Sequence, residues 1–393
     1  MKRSSLAVVL LLVALLGAGC DSGSKNAVRT DATTVKQGQI QGEPTPICGT
    51  GDDTRPAPVS IAKLDQATGK ITGAGSTFIA PLMSFWANQF HQTQGAEVDY
   101  DSVGSGAGVA RISAGTVDFG ASEAPMTDAE LAAAKDGSLL HIPLVFGAVA
   151  PAYHLTGQKS GLRFTGEVLG KIFAGQITKW NDPELTALNP QANLPDTKIL
   201  VVHRSDSSGT TAIFTDYLTK ASPSWVQALG EGKSQGRDIA WPVGNPGKGS
   251  DGVAAVLNQT EGALGYIELT YALSNGLQVG FVQNKAGHFI QPCVETVTAA
   301  ARDIAIPPDL RFDLTDTPGN DAYPITGTTW ALVDEHQTDA ARAKTLVNFL
   351  VYLLDAGQTK ARGHNYAPLS VEVRSLAIEQ VKKITVDGKP VAE

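Results

Sequence analysis

Four turns that each follow a strand and open a helix or a bend constrain the fold of this chain more than any other feature. They are rich in glycine or hydroxyl residues and occupy residues 73–78, 104–108, 120–125 and 204–211. Strands that alternate with helices are typical of layered α/β domains, in which ligands collect at the carboxyl ends of the strands. We therefore expect the four turns to converge on one crevice.

The fourth turn has the residue types that bind a tetrahedral oxyanion. An apolar strand leads into Arg204, whose planar fork of donors matches two oxygens of an anion. Ser208, Gly209 and Thr210 then supply hydroxyl and N–H groups at a predicted helix start, where the helix dipole favours negative charge. Asp206 is expected to orient the guanidinium by accepting its hydrogen bonds. An ordinary capped helix start is the alternative interpretation.

Glu123, in the third turn, indicates which anion this site selects. A carboxylate repels a fully ionised oxyanion but accepts a hydrogen bond from an anion that carries a proton. Hydrogen phosphate carries such a proton, whereas sulfate at neutral pH does not. Glu123 is therefore predicted to select for phosphate, and a solvated turn residue is the alternative.

The amino terminus predicts export. A basic start and a short apolar run, followed by small residues, make residues 1–20 a signal peptide with an end similar to the lipobox of bacterial lipoproteins. In that motif Cys20 would become the lipidated first residue of the mature chain, although Gly17 stands where leucine is usual. Plain signal cleavage is the alternative. Residues 21–65 are polar and contain several prolines, which is typical of a tether.

The two remaining cysteines and the charge balance limit the partners. Cys48 and Cys293 could form a disulfide in an oxidising compartment, and two separate thiols are the alternative. The chain has 31 basic and 39 acidic residues, and loss of the signal peptide enlarges the acidic excess. An acidic chain argues against nucleic acid as the partner. The sequence predicts neither a metal site nor a cofactor, because no ligand spacing suggests one.

Six motifs, taken in order, resemble the signatures of the substrate-binding protein of the bacterial phosphate ABC transporter. They are Gly-Ala-Gly-Ser-Thr-Phe at 73–78, Gly-Ser-Gly-Ala-Gly at 104–108, Asp-Phe-Gly-Ala-Ser at 118–122, Arg204 with Ser208-Gly209-Thr210, Gly-Lys-Gly-Ser-Asp-Gly at 247–252 and Gly-Ala-Leu-Gly-Tyr at 262–266. The resemblance extends over about residues 71–369. It implies an α/β, two-lobed type II periplasmic-binding-protein fold with a hinge and an interlobe ligand cleft. Lobe 1 would comprise residues 66–147 and 321–393, and lobe 2 residues 148–320.

The resemblance also implies the groups that surround a bound phosphate. The donors would be the Thr77 hydroxyl, the Phe78 N–H, the Ser105 hydroxyl and groups of Arg204, Ser208, Gly209 and Thr210. Asp206 would steady the arginine. The family has aspartate where this chain has Glu123, so the proton-accepting role carries over with one extra methylene group.

The implied function is extracytoplasmic, high-affinity binding of inorganic phosphate and its delivery to an ABC permease, with no catalytic step. A monomeric receptor would close about its hinge on phosphate and would be periplasmic or lipid-anchored to the outer face of the cell membrane. One alternative is a secreted phosphatase or other hydrolase with Ser105 or Ser208 as nucleophile. The other is a binding protein for another oxyanion such as arsenate or sulfate. Lys248 does not indicate a nucleotide loop, because Gly249 stands where serine or threonine is needed.

Overall fold

The computed structural model describes residues 48–49, 69–135 and 137–392. The predicted signal peptide, Cys20 and all of the predicted tether except residues 48–49 lie outside the described residues. Within the described ranges, no helix combines the length and the apolar composition that crossing a membrane requires.

One large mixed sheet forms the centre of the fold. The described strands are β1 (Lys70–Gly75), β2 (Glu97–Ser102), β3 (Phe119–Ser122), β4 (Leu139–His154), β5 (Arg163–Phe164), β6 (Leu200–Arg204), β7 (Asn245–Gly247), β8 (Ala263–Glu268), β9 (Gln278–Val279), β10 (Phe281–Gln283), β11 (Phe289–Ile290), β12 (Thr326–Asp334), β13 (His336–Gln337), β14 (Thr385–Val386) and β15 (Lys389–Pro390). The large sheet has the order β2-β1-β3-β12-β4-β8-β6-β7, with β9 also paired to β4. Two smaller sheets, β11-β10-β5 and β13-β14-β15, complete the described strands.

Helices follow most strands of the large sheet, as the alternating pattern predicts. They are α1 (Ala80–Gln94), α2 (Ser105–Ser113), α3 (Asp128–Ala133), α4 (Gly166–Phe173), α5 (Pro183–Leu188), α6 (Gly209–Ala221), α7 (Pro223–Leu229), α8 (Gly249–Gln259), α9 (Leu269–Ser274), α10 (Val294–Ala300), α11 (Ala340–Leu354), α12 (Gln358–Ala361), a 3₁₀ helix (Arg362–His364) and α13 (Val371–Val381). Because β1, β3 and β6 each end at a turn, those turns lie at carboxyl ends of the sheet, where α/β folds bind ligands.

Strand β4 joins two halves of the large sheet. Its first part, up to Ala148, pairs with β12, and its last part, from Val149 to His154, pairs with β8. The apolar run at residues 139–155 predicts such a strand, and the structure contains it at Leu139–His154. We call β1, β2, β3, β12 and the first part of β4, with their helices, the first half. The second half comprises the last part of β4, β6, β7, β8, β9 and their helices.

Two apolar helices cover the first half. In α1 the apolar side chains, which recur at helical spacing in the sequence, are buried, and Asp339 caps the start of α11 by accepting the N–H groups of Ala341 and Arg342. The Phe349 ring of α11 lies 5.9 Å from Phe119 of β3, so this late helix packs on the first half. Burial of one such ring contributes about 1.5–3 kcal/mol.

The bounds of β3 differ from the prediction. The sequence suggests a strand over Val117 and Phe119 that ends at Gly120, but β3 begins at Phe119 and continues to Ser122. Strand β3 pairs with β1 on one side and with β12 on the other. A Cβ atom at Gly120 would lie 3.1 Å from the Gly108 carbonyl oxygen, so glycine lets α2 pack closely against the strand. Glu123, the residue that follows β3, therefore lies directly at the carboxyl end of this strand.

Candidate functional site

Arg204 is the last residue of β6, and hydrogen bonds within the protein fix its side chain. The guanidinium is buried; its Nε donates to Asp206 Oδ1 at 2.8 Å, and its Nη2 donates to Asp206 Oδ2. The Nη1 donates to Thr210 Oγ1 at 3.3 Å. Burial alone would raise the pKa of Asp206, but the hydrogen bonds and charge of Arg204 hold that pKa below its ordinary value. The pair therefore stays ionised, which keeps the arginine oriented.

The start of α6 lies beside this arginine. Ser208 is the N-cap, because its Oγ accepts the N–H of Thr211 at 3.2 Å. The capped helix start that the sequence allows is therefore present, yet the hydroxyl proton of Ser208 can still be donated. The Gly209 N–H, also at the helix start, donates to Ser105 Oγ at 3.0 Å. The amino-terminal end of α6, which is the positive end of its helix dipole, therefore faces the first half.

Glu123 follows the last residue of β3 and is buried, with only 4% of its surface exposed. Its Oε2 accepts from Ser105 Oγ at 3.0 Å and its Oε1 from Thr329 Oγ1 at 2.9 Å. Burial raises the pKa of Glu123 above its ordinary value, and hydrogen bonds from Ser76, Thr329 and Ser105 with the charge of Arg204 oppose that rise without cancelling it. The alternative interpretation of Glu123 as a solvated turn residue is therefore wrong.

Hydrogen bonds join the two halves at these residues. Ser105, the first residue of α2, bonds both to Glu123 in its own half and to Gly209 in the second half. Thr77 Oγ1 lies 2.9 Å from Ser250 Oγ and accepts the Ser250 N–H at 3.2 Å. A Cβ atom at Gly209 would lie 2.6 Å from Glu123 Oε2, so only glycine permits this approach.

The predicted phosphate-binding residues and Asp206 lie in one cluster, which is buried except at the half-buried Asp206. Asp206 extends it, because its Oδ1 also accepts the Gly249 N–H at 2.9 Å, next to Ser250 and its partner Thr77. Phe78 follows Thr77, and its N–H donates to Ser76 Oγ at 3.0 Å. The cluster thus contains one guanidinium, several hydroxyl and amide donors, and one carboxylate outside the arginine pair. Such a set can surround a small anion that carries a proton.

Three tyrosines bind the backbone of the segment at residues 76–78. Their hydroxyl groups donate to three successive carbonyl oxygens, each tyrosine coming from a different part of the fold. The pairs are Tyr100 with Ser76 at 2.8 Å, Tyr271 with Thr77 at 2.9 Å and Tyr366 with Phe78 at 2.6 Å. Burial raises the pKa of each tyrosine, so all three remain neutral donors.

Sequence reasoning missed several residues that contact the site. Ser250 lies in the glycine-rich motif at 247–252, and that motif was the available signal. Thr329 and Tyr271 belong to no motif of oxyanion chemistry, and only the folded sheet reveals their contacts. Lys248 of the same motif is exposed.

The two cysteines lie together in the structure. Cys48 and Cys293 are joined by a disulfide, with 5.9 Å between their Cα atoms. Cys293 directly precedes α10, so the bond links a residue of the predicted tether to the folded body. The carboxylate of Glu295 is nearby, but both sulfurs are bonded to each other and are not free to bind a metal.

The sequence is similar to that of known proteins over most of its length. A PBP superfamily domain matches residues 31–355. The phosphate-binding protein PstS of Xylella fastidiosa strain Temecula1 is 42% identical over 303 residues, which cover 76% of this chain and 81% of that protein. The phosphate-binding protein PstS of Haemophilus influenzae is 39% identical over 315 residues, which cover 79% of this chain and 92% of that protein.

Solved structures show the same fold. A phosphate-binding protein from Stenotrophomonas maltophilia superposes with a TM-score of 0.65 at 21% identity, covering 79% of this chain and 93% of that one. At this identity the likeness shows the fold alone. It confirms the predicted two-lobed α/β class.

Proposed function

The chain belongs to the family of substrate-binding proteins of phosphate ABC transporters, and we propose that it binds inorganic phosphate with high affinity outside the cytoplasm and delivers it to an ABC permease for import. The observation that carries this proposal is the buried cluster in which Arg204 and its neighbouring donors face the carboxylate of Glu123. The family consists of binding proteins, and no residue of the cluster is assigned a catalytic step.

The donors proposed to bind phosphate come from both halves. Thr77, Phe78 and Ser105 belong to the first half, and Arg204 and the start of α6 with Ser208, Gly209 and Thr210 belong to the second. Hydroxyl and amide groups of both halves would donate hydrogen bonds to the phosphate oxygens. A ligand held from both sides stabilises the closed arrangement over the open one, and opening releases it.

Glu123 is proposed to accept the proton of hydrogen phosphate. An ionised carboxylate has only acceptor sites, so it pairs with a P–O–H group but leaves a fully ionised sulfate facing an unmet negative charge. The carboxylate of the longer glutamate side chain accepts hydrogen bonds from the hydroxyls of Ser105 and Thr329, and these bonds fix its position. Selectivity for phosphate follows from this one acceptor among many donors.

The predicted lobes and cellular location complete the proposal. The boundary between residues 147 and 148 is supported by β4, which changes its pairing partner from β12 to β8 after Ala148. We propose that residues 1–20 direct export, that Cys20 becomes lipidated at the outer face of the membrane, and that residues 21–65 tether a monomeric receptor. Its macromolecular partners would be the permease subunits of the transporter and no nucleic acid.

Titration calorimetry on ligand-stripped protein tests the proposed function. We expect one phosphate per chain and much weaker binding of sulfate. Arsenate in parallel tests the other oxyanion, and arsenate binding tighter than phosphate would change the assignment. Incubation with a chromogenic phosphate ester is expected to give no turnover; sustained turnover would instead favour a hydrolase that uses Ser105 or Ser208.

Glu123→Gln tests the selectivity. The amide presents a donor where phosphate presents its proton, so the ratio of phosphate to sulfate affinity should fall by about tenfold or more. The ratio is measured by calorimetry with both anions on the same preparation. An unchanged ratio would contradict the role given to Glu123.

A further inference from the structure

Thr329 lies in β12, directly across the sheet from the end of β3. Trp330 pairs with Ser122, so the antiparallel register places Thr329 opposite the next residue of the other chain segment, Glu123. Thr329 is fully buried, and its Oγ1 donates to Glu123 Oε1 at 2.9 Å. The side chain therefore contacts the proposed proton acceptor from the side away from Ser105.

The pairing of β12 with β4 is irregular at Thr329, next to the hydroxyl that contacts Glu123. On the other edge of β12, Thr329 pairs with Val145 but Trp330 pairs with Pro143, so the register shifts by one residue between them. Such irregularities are common next to binding sites, where they redirect a side chain. Thr328, one residue earlier, is also buried, and within the described part of the chain its Oγ1 has no hydrogen-bond partner. Of these two adjacent buried threonines, Thr329 donates to Glu123, and Thr328 provides a buried hydroxyl that makes no such contact.

The hydroxyl of Thr329 acts on a carboxylate that burial disfavours as an anion. Hydrogen bonds from Ser76, Thr329 and Ser105 favour the ionised form, and so does the positive charge of Arg204 on β6. The other titratable groups that interact with this carboxylate are neutral tyrosines from β2, α9 and the segment after the 3₁₀ helix. They are Tyr100, Tyr271 and Tyr366. Removing one of the three hydroxyl donors would therefore move the carboxyl toward its protonated form.

We propose that Thr329 is a positioning residue for phosphate selectivity: it keeps Glu123 an ionised acceptor and occupies Oε1, so that Oε2 accepts the ligand proton when the Ser105 hydroxyl donates to phosphate. The inference rests on the proposed function. A glutamate has one more rotatable bond than the aspartate of the family pattern, and the hydrogen bond from the Thr329 hydroxyl restricts rotation about that bond. A protonated Glu123 would instead present a donor, which suits sulfate as well as phosphate, and a rotated Glu123 would no longer place its acceptor at the ligand proton.

The test compares Thr329→Val with Thr328→Val, because both replace a buried hydroxyl by a methyl group on the same strand. Phosphate and sulfate affinities are measured by calorimetry from about pH 5 to pH 9. Thr329→Val should lower the phosphate-to-sulfate ratio by about tenfold. It should also move the loss of phosphate affinity on acidification to higher pH, because the pKa of Glu123 rises. Thr328→Val should match the wild type, and Thr329→Ser should restore both readouts.

A double variant separates positioning from a general structural effect. In the Glu123→Gln background, Thr329→Val should leave the phosphate-to-sulfate ratio where Glu123→Gln alone puts it, because the threonine acts through that carboxylate. Thermal unfolding without phosphate shows whether each variant is folded, and Thr329→Ala, which also lacks the hydroxyl, replaces Thr329→Val if the latter is not.

The outcomes are distinguishable. If Thr329→Val and Thr328→Val have the same ratio and pH profile, or if Thr329→Ser fails to differ from Thr329→Val, the inference is overturned while wild-type phosphate binding leaves the proposed function intact. If the wild type binds no phosphate, the proposed function fails and the inference fails with it.

Discussion

At the scale of single residues, the site combines an arginine that one carboxylate fixes with a second carboxylate that hydroxyl groups fix. Arg204 is held by Asp206 through two parallel hydrogen bonds, and Glu123 is held by Ser105 and Thr329 through one bond to each oxygen. In the proposed function the arginine attracts any oxyanion, whereas the glutamate discriminates between protonated and unprotonated ones. The two residues should therefore affect different quantities when they are replaced.

Arg204→Lys tests this division. Lysine keeps the charge but cannot form the fork to Asp206 and reach Thr210 at once, so the exchange is not conservative here. We expect phosphate and sulfate affinities to fall together, by about tenfold to 100-fold, with their ratio preserved. Calorimetry with both anions measures this. A changed ratio with little loss of affinity would contradict the separate roles of Arg204 and Glu123.

The sequence predicts the residues of the site that lie in local turns and misses those that reach it across the sheet. Arg204, Ser208 and Gly209 follow one strand and open one helix, so local chemistry identifies them. Thr329 bonds to Glu123 across 206 positions of the chain. No local pattern distinguishes it from Thr328, because which of two adjacent buried threonines faces the site depends on the register of β12.

At the scale of elements, the segment between β1 and α1 is held by its backbone. Ser76, Thr77 and Phe78 each give a carbonyl oxygen to a different tyrosine. Tyr100 lies on β2, in the same half as this segment, whereas Tyr271 lies on α9 in the second half. A hydrogen bond within one half persists when the halves separate, but a bond between them exists only in the closed arrangement.

Tyr271→Phe and Tyr100→Phe should therefore differ. Loss of the Tyr271 hydroxyl weakens only the closed arrangement, so phosphate affinity should fall by about fivefold with little change in the unfolding midpoint of the ligand-free protein. Loss of the Tyr100 hydroxyl should lower that midpoint and leave the affinity nearly unchanged. Calorimetry and thermal unfolding measure the two quantities, and equal effects of both variants on affinity would contradict the assignment.

Element prediction succeeds where side chains repeat with one period and fails where pairing partners decide. The apolar residues of α1 recur at helical spacing, and the sequence offers Thr338 or Asp339 as the start of α11, of which Asp339 is the cap. The short β3 has no comparable pattern, because Gly120 and Ala121 become strand only through pairing with β1 and β12. Its bounds decide where Glu123 emerges, so this local failure bears directly on the site.

At the scale of the whole described body, an ion pair joins the halves near the site. Arg237 precedes β7 in the second half and pairs with Glu130 of α3 in the first, with side-chain exposures of 14% and 30%. The Arg237 carbonyl oxygen also accepts the N–H of Ser208, so the same residue contacts the start of α6. Glu130 has a second task, since its Oε2 accepts the Thr127 N–H in the capping box of α3.

Glu130→Gln should weaken this closure without removing the helix cap, because an amide oxygen can still accept from Thr127. The halves then separate more easily, and we expect phosphate to dissociate about fivefold faster, with less dependence of the rate on salt. Stopped-flow release at low and high ionic strength measures both effects. Asp128→Asn is the matched control: Asp128 is in the same helix and pairs with Arg311, but its side chain is 88% exposed, so screening by solvent makes that pair weak. Equal release rates for the two variants would mean that the Arg237–Glu130 pair does not hold the halves together, and closure would then depend on the ligand and the hydrogen bonds around it.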